Sequence, residues 1–505
     1  MGRNNFVDRF GLWSDEQKLL AKDLVKKIKD LNLEVIRISF PDQHGILRGK
    51  TLVADEASSA LTNGVGMVTT LLAKDTSHKT VFSWFTDGGG LGMDEMTGGG
   101  DFIMVPDPST FRILPWAEKT GWMMADIFFP NGSPVPFSTR KILRDALSEL
   151  GNSGYNYVSG LEVEFHLFRL ENPNLSPEQA GQPAEPPDVS LLAHGFQYLT
   201  EQRMDEIDPY LETLRRHLLE LGLPLRTLEV EFGPSQVEVT FNPSIGLTSA
   251  DNMILFRSAV KQISHREGLH ATFMCRPNLP NLFSSGWHLH QSLIDIKNNK
   301  NAFMPNKEGN VLSPIGLQFV AGLLKHANGA AVFSTPTING YKRYQPYSLA
   351  PDRALWGKDN RGAMLRVISD INDPATRIEN RIGEPAANPY LYLASQIYSG
   401  LDGIKNQYKP STPVDAAYDT EATLLPHSLD QAITALKQDN YFREKLGNQF
   451  IDYIIHIKEA EVARFLATVT DWEHKEYFEI FPLLISSLIL LKYLLIFTSN
   501  LNPTL

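Results

Sequence analysis

Cysteine is nearly missing: the 505-residue chain has one, Cys275. A single thiol excludes an intrachain disulfide and a thiolate metal cluster. Excess basic charge is missing too. Lys and Arg total 47 against 58 Asp and Glu, a formal net charge of −11. A general nucleic-acid binder needs a basic surface to neutralise phosphates, so that class is excluded, although a local basic pocket for a nucleotide is not. The first residues, MGRNNFVDRFGLWSDEQ, hold no apolar stretch of the kind a signal peptide needs. Phe6 stands where a myristoylation site requires Ser or Thr. These absences fit a cytoplasmic enzyme. There is no internal repeat. The glycine runs at 88–92 and 98–100 lack the Gly-Lys-Ser/Thr that completes a phosphate loop, and read as flexible connections. One long apolar run exists, Pro482 to Phe497, interrupted by Lys492. It is shorter than the ~20 residues that cross a bilayer. It reads as a tail buried in an oligomer interface or poorly ordered, rather than as a membrane anchor.

What is present begins with a 42% apolar content, enough for a sizeable core in a large two-domain enzyme. Ser14 to Leu31 has helical periodicity with Ser14 and Asp15 as capping candidates. Leu33 to Phe40 alternates as a strand, Pro41 to Gly45 is a turn, and Ile46 to Val53 returns. A helix opens at Ser138 and a strand at Tyr157 that runs to Leu170. The Pro-rich stretch 171–188 is a surface loop. Asp208 to Leu221 predicts a helix, Leu228 to Phe241 a hairpin, Ala250 to Glu267 a helix and Thr272 to Leu293 extended chain. Long helices dominate after Asn388.

Six residues on these pieces suit a divalent metal. Glu162 and Glu164, two apart on a strand, face the same way. The turn in Glu231-Phe-Gly-Pro-Ser-Gln-Val-Glu238 lets both glutamates face one site, His288 and His290 share a face, and Glu379 lies in a later segment. Close carboxylates repel unless a cation lies between them. Carboxylates with an imidazole suit Mg²⁺ or Mn²⁺ rather than structural zinc. Arg343, Arg361, Arg366, Arg377 and Arg381 form a cationic counterpart. Guanidinium groups fork onto phosphate and carboxylate oxygens, which a reaction between two anions requires. The plainer alternative is surface arginines paired with acids such as Asp359 and Glu384.

The stretches FPDQHGILRGK, GLEVEFHLF, EFGPSQVE, SSGWHLHQSL, NGYKRYQPYSLAP, WGKDNRGAMLR and RIENRIGEPAANPY, in that order, resemble the glutamine synthetase family from about residue 33 to 481. The resemblance implies an α+β fold. An N-terminal β-grasp-like domain (1–135) precedes a catalytic domain with a curved antiparallel sheet and flanking helices (136–481), and the apolar tail (482–505) is an extra. It implies ATP and L-glutamate as substrates, with two or three Mg²⁺ or Mn²⁺ ions per site. Glu164, Glu231 and Glu238 would hold one metal; Glu162, His288 and Glu379 would hold the metal on the ATP phosphates. Arg361 and Arg366 match phosphate-stabilising arginines, and Arg343 and Arg381 match those that grip glutamate. Arg377, His290 and Ser292 match nucleotide contacts. Asp42 matches the aspartate that attracts the amine in the neighbouring subunit's site. The implied assembly is a two-ring homo-oligomer, a dodecamer, with sites between subunits.

Three departures point within the family. Leu349 stands where ammonia-using members carry a flap glutamate. Phe283-Ser284 replaces an Asn-Gly pair. Trp287 precedes the metal histidine, while Tyr344 and Tyr347 lie in the flap. An apolar, aromatic-rimmed pocket favours an organic amine. The expected substrate-binding set is therefore Arg343, Arg381, Phe283, Trp287, Tyr344 and Leu349. The expected product is a γ-glutamyl amide of an apolar or aromatic monoamine such as aniline. Ordinary glutamine synthesis, a γ-glutamylpolyamine product and a non-catalytic structural role are the alternatives. The plainer reading of Leu349, Tyr344 and Trp287 is that they only pack the flap.

Overall fold

The computed structural model describes residues 5–345 and 347–480. The expectation for the tail 482–505 therefore lies outside the described residues. The described residues up to 460 form one compact unit, and those from 461 to 480 belong to a second. In the second, the described helix Asp471–Tyr477 is capped by Thr470 and Glu473 in a reciprocal capping box.

After the short helix Phe6–Phe10, a second helix runs Asp15–Asp30. Ser14 caps it as expected, but its partner in the capping box is Gln17, while Asp15 stands in the first turn. Its apolar residues Ala21, Leu24 and Ile28 are buried. A six-stranded sheet follows, with the order Leu47–Val53, Val35–Pro41, Thr120–Phe128, Asp101–Pro106 and Val65–Val68 along its main path. Val35–Pro41 pairs antiparallel with Leu47–Val53 and parallel with Thr120–Phe128. The glycine runs are not slack connections. They fold into short 3-10 turns in which Gly88 and Gly89 are buried.

An eleven-stranded, mainly antiparallel sheet occupies the larger region. Its central strand, Tyr155–Leu170, is flanked by Trp287–Asp295 and Gln236–Phe241. Arg377–Gly383 and Leu365–Ile368 extend one side, and Leu225–Val230 the other. The predicted hairpin is present. The helix expected from Asp208 starts earlier, at Glu201, and carries Pro209 within it. Pro209 stands two turns past the helix start, so it removes the hydrogen bond that an N–H there would make to the Asp205 carbonyl.

The sheet is backed by the helix Pro389–Lys405, whose residues 389–403 are all buried. A helix apolar all round belongs inside a large core. Asn388 caps it and Pro389 occupies its first turn. It packs on Pro314–Lys325 at backbone contact. A Cβ on Gly322 would lie 2.0 Å from the Ser399 carbonyl oxygen, and one on Gly403 would lie 2.0 Å from that of Gln318.

A buried arginine joins the two sheet regions. Arg140 is 2% exposed and donates to Asp107, Asp126 and Asp251 at 2.9–3.1 Å. Tyr390 donates to the same Asp251 at 2.7 Å. Removing the cation leaves three carboxylates crowded together. Arg140→Ala should lower the unfolding free energy by about 3–5 kcal/mol, read from urea denaturation. A loss below about 1 kcal/mol would show that the cluster behaves like an exposed ion pair.

Candidate active site

Strand register writes the site. In the antiparallel pairs Glu162 lies opposite His288, Glu164 opposite Glu238, and Glu238 opposite Glu229. Glu379 lies opposite His290 on one side and Arg366 on the other. Directly opposed residues share a face. Acid and imidazole groups from five strands therefore converge on one side of the sheet. Like charges set opposite one another are destabilising by themselves.

Their side chains come within bonding range. His288 Nδ1 lies 2.6 Å from Glu162 Oε1, and His290 Nε2 lies 2.9 Å from Glu162 Oε2. Three groups have ligand atoms all within 4.8 Å of each other: Glu164–Glu231–Glu238, Glu162–Glu238–His288 and Glu162–His290–Glu379. The first is the trio expected from the sequence. For the second metal the grouping differs, because His290 rather than His288 joins Glu162 and Glu379. His288 Nδ1 remains 3.8 Å from Glu379 Oε1. The donors are carboxylate oxygens and imidazoles, which fit Mg²⁺ or Mn²⁺.

Electrostatics divide the cage. Burial pushes the Glu231 carboxyl up, and the Glu164 charge adds to it. Glu238 is raised by burial and by Glu162 and Glu164. Burial also acts on Glu162, but His288 and His290 outweigh it and hold that carboxyl well below its usual range. Glu379 is held low in the same sense, with Arg381 and His288 outweighing burial.

The cage opens on a cavity of about 1590 Å³, lined also by Ser292, Arg343, Arg361, Arg366, Arg377 and Arg381. Arg366 donates to Glu379 at 3.0 Å and to Asp359 at 2.9 Å. Arg381 also donates to Glu379 and, through Nε, to the Arg361 carbonyl at 3.0 Å. Arg343 is held by the Arg381 carbonyl at 2.9 Å and reaches His288 Nε2 at 3.3 Å. Arg377 Nε lies 3.2 Å from His290 Nδ1. Of the two local acids, Asp359 accepts from Arg366, and Glu384 accepts from the N–H and hydroxyl of Thr337.

Phe283 and Leu349 line this cavity, but Trp287 and Tyr344 do not. Their expected amine contacts are corrected. Neighbouring strand residues point to opposite faces, so Trp287 faces away from His288. It is fully buried, edge-on to Tyr392 at 5.1 Å. Tyr344 is buried and its hydroxyl donates to the Ile382 carbonyl at 2.8 Å. Sequence reasoning missed Phe196, Tyr198 and Phe232, which line the cavity in their place. Phe232 had a signal, its position directly after Glu231. Phe196 and Tyr198 lie in a non-repetitive loop and had none.

Asp42 does not line the cavity of its own chain. It is 1% exposed, accepting from the N–H groups of His44 and Ile46 and from Arg48 Nε, each at 2.9 Å. The Asp42 turn docks on its own chain, where Asn388 donates to the Asp42 carbonyl at 3.2 Å.

A sheet face gathering carboxylates around a metal-sized space, ringed by guanidinium groups, defines an ATP-dependent ligase that joins a carboxylate to an amine. The chain belongs to the glutamine synthetase family, whose catalytic-domain model matches residues 136–477. It is 46% identical to the γ-glutamylanilide synthase of an Acinetobacter species over 94% of this chain and 99% of that one. It is 31% identical to the glutamate–isopropylamine ligase of a Pseudomonas species, covering 92% and 98%. A solved structure of GmaS in complex with ADP matches with a TM-score of 0.75 at 27% identity, covering 90% of this chain and 99% of that one.

The raised carboxyls set a pH dependence. Glu231 and Glu238 hold protons more tightly folded than unfolded, so metal-free stability falls as pH rises above the ordinary carboxylate range. The lowered pair, Glu162 and Glu379, act only below that range. Thermal melts from about pH 5 to about pH 9 should decline without metal and flatten with Mg²⁺. Equal slopes with and without Mg²⁺ would count against a cation in this cage.

Proposed function

We propose that the protein joins the γ-carboxylate of L-glutamate to an organic monoamine with an apolar or aromatic body, such as aniline. The observation that carries this reading is the cavity's amine side. Leu349 faces it where ammonia-using relatives place a glutamate, and Phe232 and Phe283 stand 43% and 41% exposed on its wall. A leucine neither accepts a proton from ammonium nor balances its charge. The names of the two relatives, for an anilide and an isopropylamide linkage, support the same class.

The reaction has two steps. A γ-carboxylate oxygen attacks the terminal phosphorus of ATP, ADP leaves, and γ-glutamyl phosphate forms. The amine nitrogen then attacks the acyl carbon, phosphate leaves, and the nitrogen gives up its proton. Arg343 and Arg381 grip the glutamate carboxylates. Arg361 and Arg366 offset charge on the transferred phosphoryl group, and Arg377, His290 and Ser292 contact the nucleotide. Two or three Mg²⁺ or Mn²⁺ ions, held by Glu162, Glu164, Glu231, Glu238, His288 and Glu379, would neutralise phosphate charge and orient the oxygens.

In this reading the active form is a two-ring homo-oligomer, a dodecamer, in which the turn that carries Asp42 borders the cavity of the next copy. A cytoplasmic location agrees with the single cysteine. Among the described residues no helix is long and apolar enough to cross a membrane.

Phosphate release with ATP, Mg²⁺ and glutamate should be fast with aniline or isopropylamine and slow with ammonium or putrescine. Fastest turnover with ammonium would make the protein a glutamine synthetase. Fastest turnover with putrescine would move it to the polyamine branch.

A further inference from the structure

We propose that Phe196, Phe232 and Phe283 form the subsite that receives the aromatic ring of the amine, selecting a neutral arylamine over an alkylamine. This rests on the reading above that an organic amine is the co-substrate, and it assigns the selecting residues.

The three rings make a corner. Their centroids lie 5.6, 6.0 and 4.8 Å apart, with interplanar angles of 88°, 83° and 88°. Three mutually perpendicular faces offer a flat guest both edge-to-face and offset contacts, the arrangements aromatic rings prefer. The corner is not a closed core cluster. Phe232 and Phe283 remain over two-fifths exposed, and all three rings line the cavity into which the acid cage opens. Apolar surface left in water within a reaction cavity is recovered when a ring of matching shape covers it.

The corner is fixed to the catalytic groups. Phe232 follows Glu231 in the chain, and its N–H donates to that carboxylate at 3.0 Å. The Gln236 amide donates to the Ser284 carbonyl beside Phe283 at 3.2 Å, to Ser285 Oγ at 3.0 Å and to Glu164 at 3.2 Å. A guest in the corner is therefore held at a set distance from the cage.

The third wall is held by unfavourable backbone. Phe196, Gln197 and Leu199 have φ of 56°, 56° and 57°, the left-handed region that side chains other than glycine's disfavour. Gly195, at φ 74°, leads into them, and a Cβ there would lie 2.3 Å from the Pro234 nitrogen. The Phe196 N–H donates to the Phe232 carbonyl at 2.9 Å, which locks the two rings in register. Such strain persists only where surrounding contacts enforce it, and it clusters at functional sites.

The corner selects by shape rather than by charge: aromatic faces also attract cations, and what three perpendicular rings exclude is a guest without a flat face. An ammonium ion is too small to touch all three rings. A branched alkylamine lacks a flat face. An arylamine, a weak base, arrives uncharged with its nitrogen lone pair available for attack.

The test is steady-state kinetics on the full-length chain with aniline, isopropylamine and ammonium. Wild type is compared with Phe196→Leu, Phe232→Leu, Phe283→Leu and the ring-retaining Phe232→Tyr. Each leucine variant should raise the KM ratio of aniline to isopropylamine about tenfold, with KM for ATP and glutamate unchanged. Phe232→Tyr should keep the wild-type ratio. The unchanged ATP and glutamate constants serve as the check that each variant folds. A ratio that stays at the wild-type value in all three leucine variants overturns the assignment. So does a rise in glutamate KM in step with aniline, which would give the corner to glutamate. Wild type active on isopropylamine but not aniline also overturns it and leaves the ligase reading standing. Wild type inert to every amine strikes the ligase reading itself.

Discussion

The structure turns on one electrostatic constraint: an antiparallel sheet forced to hold carboxylates directly opposite each other. Glu164, Glu238 and Glu229 sit in one line across three strands, a pairing that repels when nothing neutralises it. The protein tolerates this because the charges are answered on both flanks. Histidines and arginines hold Glu162 and Glu379 ionised, while burial leaves Glu231 and Glu238 reluctant to ionise until a cation arrives. A cation bound among Glu164, Glu231 and Glu238 would favour their ionised forms.

Rigid support makes such a constraint usable. The cage glutamates and histidines lie on or directly beside strands, and groups on regular elements are held more precisely than groups on loops. Behind the sheet, the fully buried helix Pro389–Lys405 packs at backbone contact on its neighbour. Arg140 ties the two sheet regions through three aspartates. The amine side, by contrast, is made from turns and loops: the 194–199 segment, the turn after Glu231, the stretch before Ser285 and the flap. In the proposed reading, the metal-binding groups sit on the sheet and the choice of amine on the loops around it.

The sequence disclosed the sheet part well, because alternation in a strand is a local property. Glu162 with Glu164 and His288 with His290 share faces for the same reason, and the Gly-Pro-Ser turn visibly brings Glu238 back beside Glu231. The same rule, applied one residue further, would have turned Trp287 away from the amine, since it neighbours His288 on a strand. Tyr344 was hidden differently. A tyrosine in a flap motif gives no sign that its hydroxyl will be satisfied by Ile382 in the core. Phe196 and Tyr198 were illegible because a left-handed loop has no periodicity to read. Asp42 was legible as a turn residue, but not as one whose oxygens are already occupied by its own turn and Arg48.

The left-handed backbone at Phe196, Gln197 and Leu199 has a consequence for substitution there. Glycine substituted at Gln197 or Leu199 would relieve the left-handed dihedral while loosening the unfolded chain, two effects of opposite sign on stability. Each such relaxation also loosens the wall that Phe196 provides. On the proposed reading, keeping that wall means keeping a strained loop, so the shape of the amine side is held against local backbone preference.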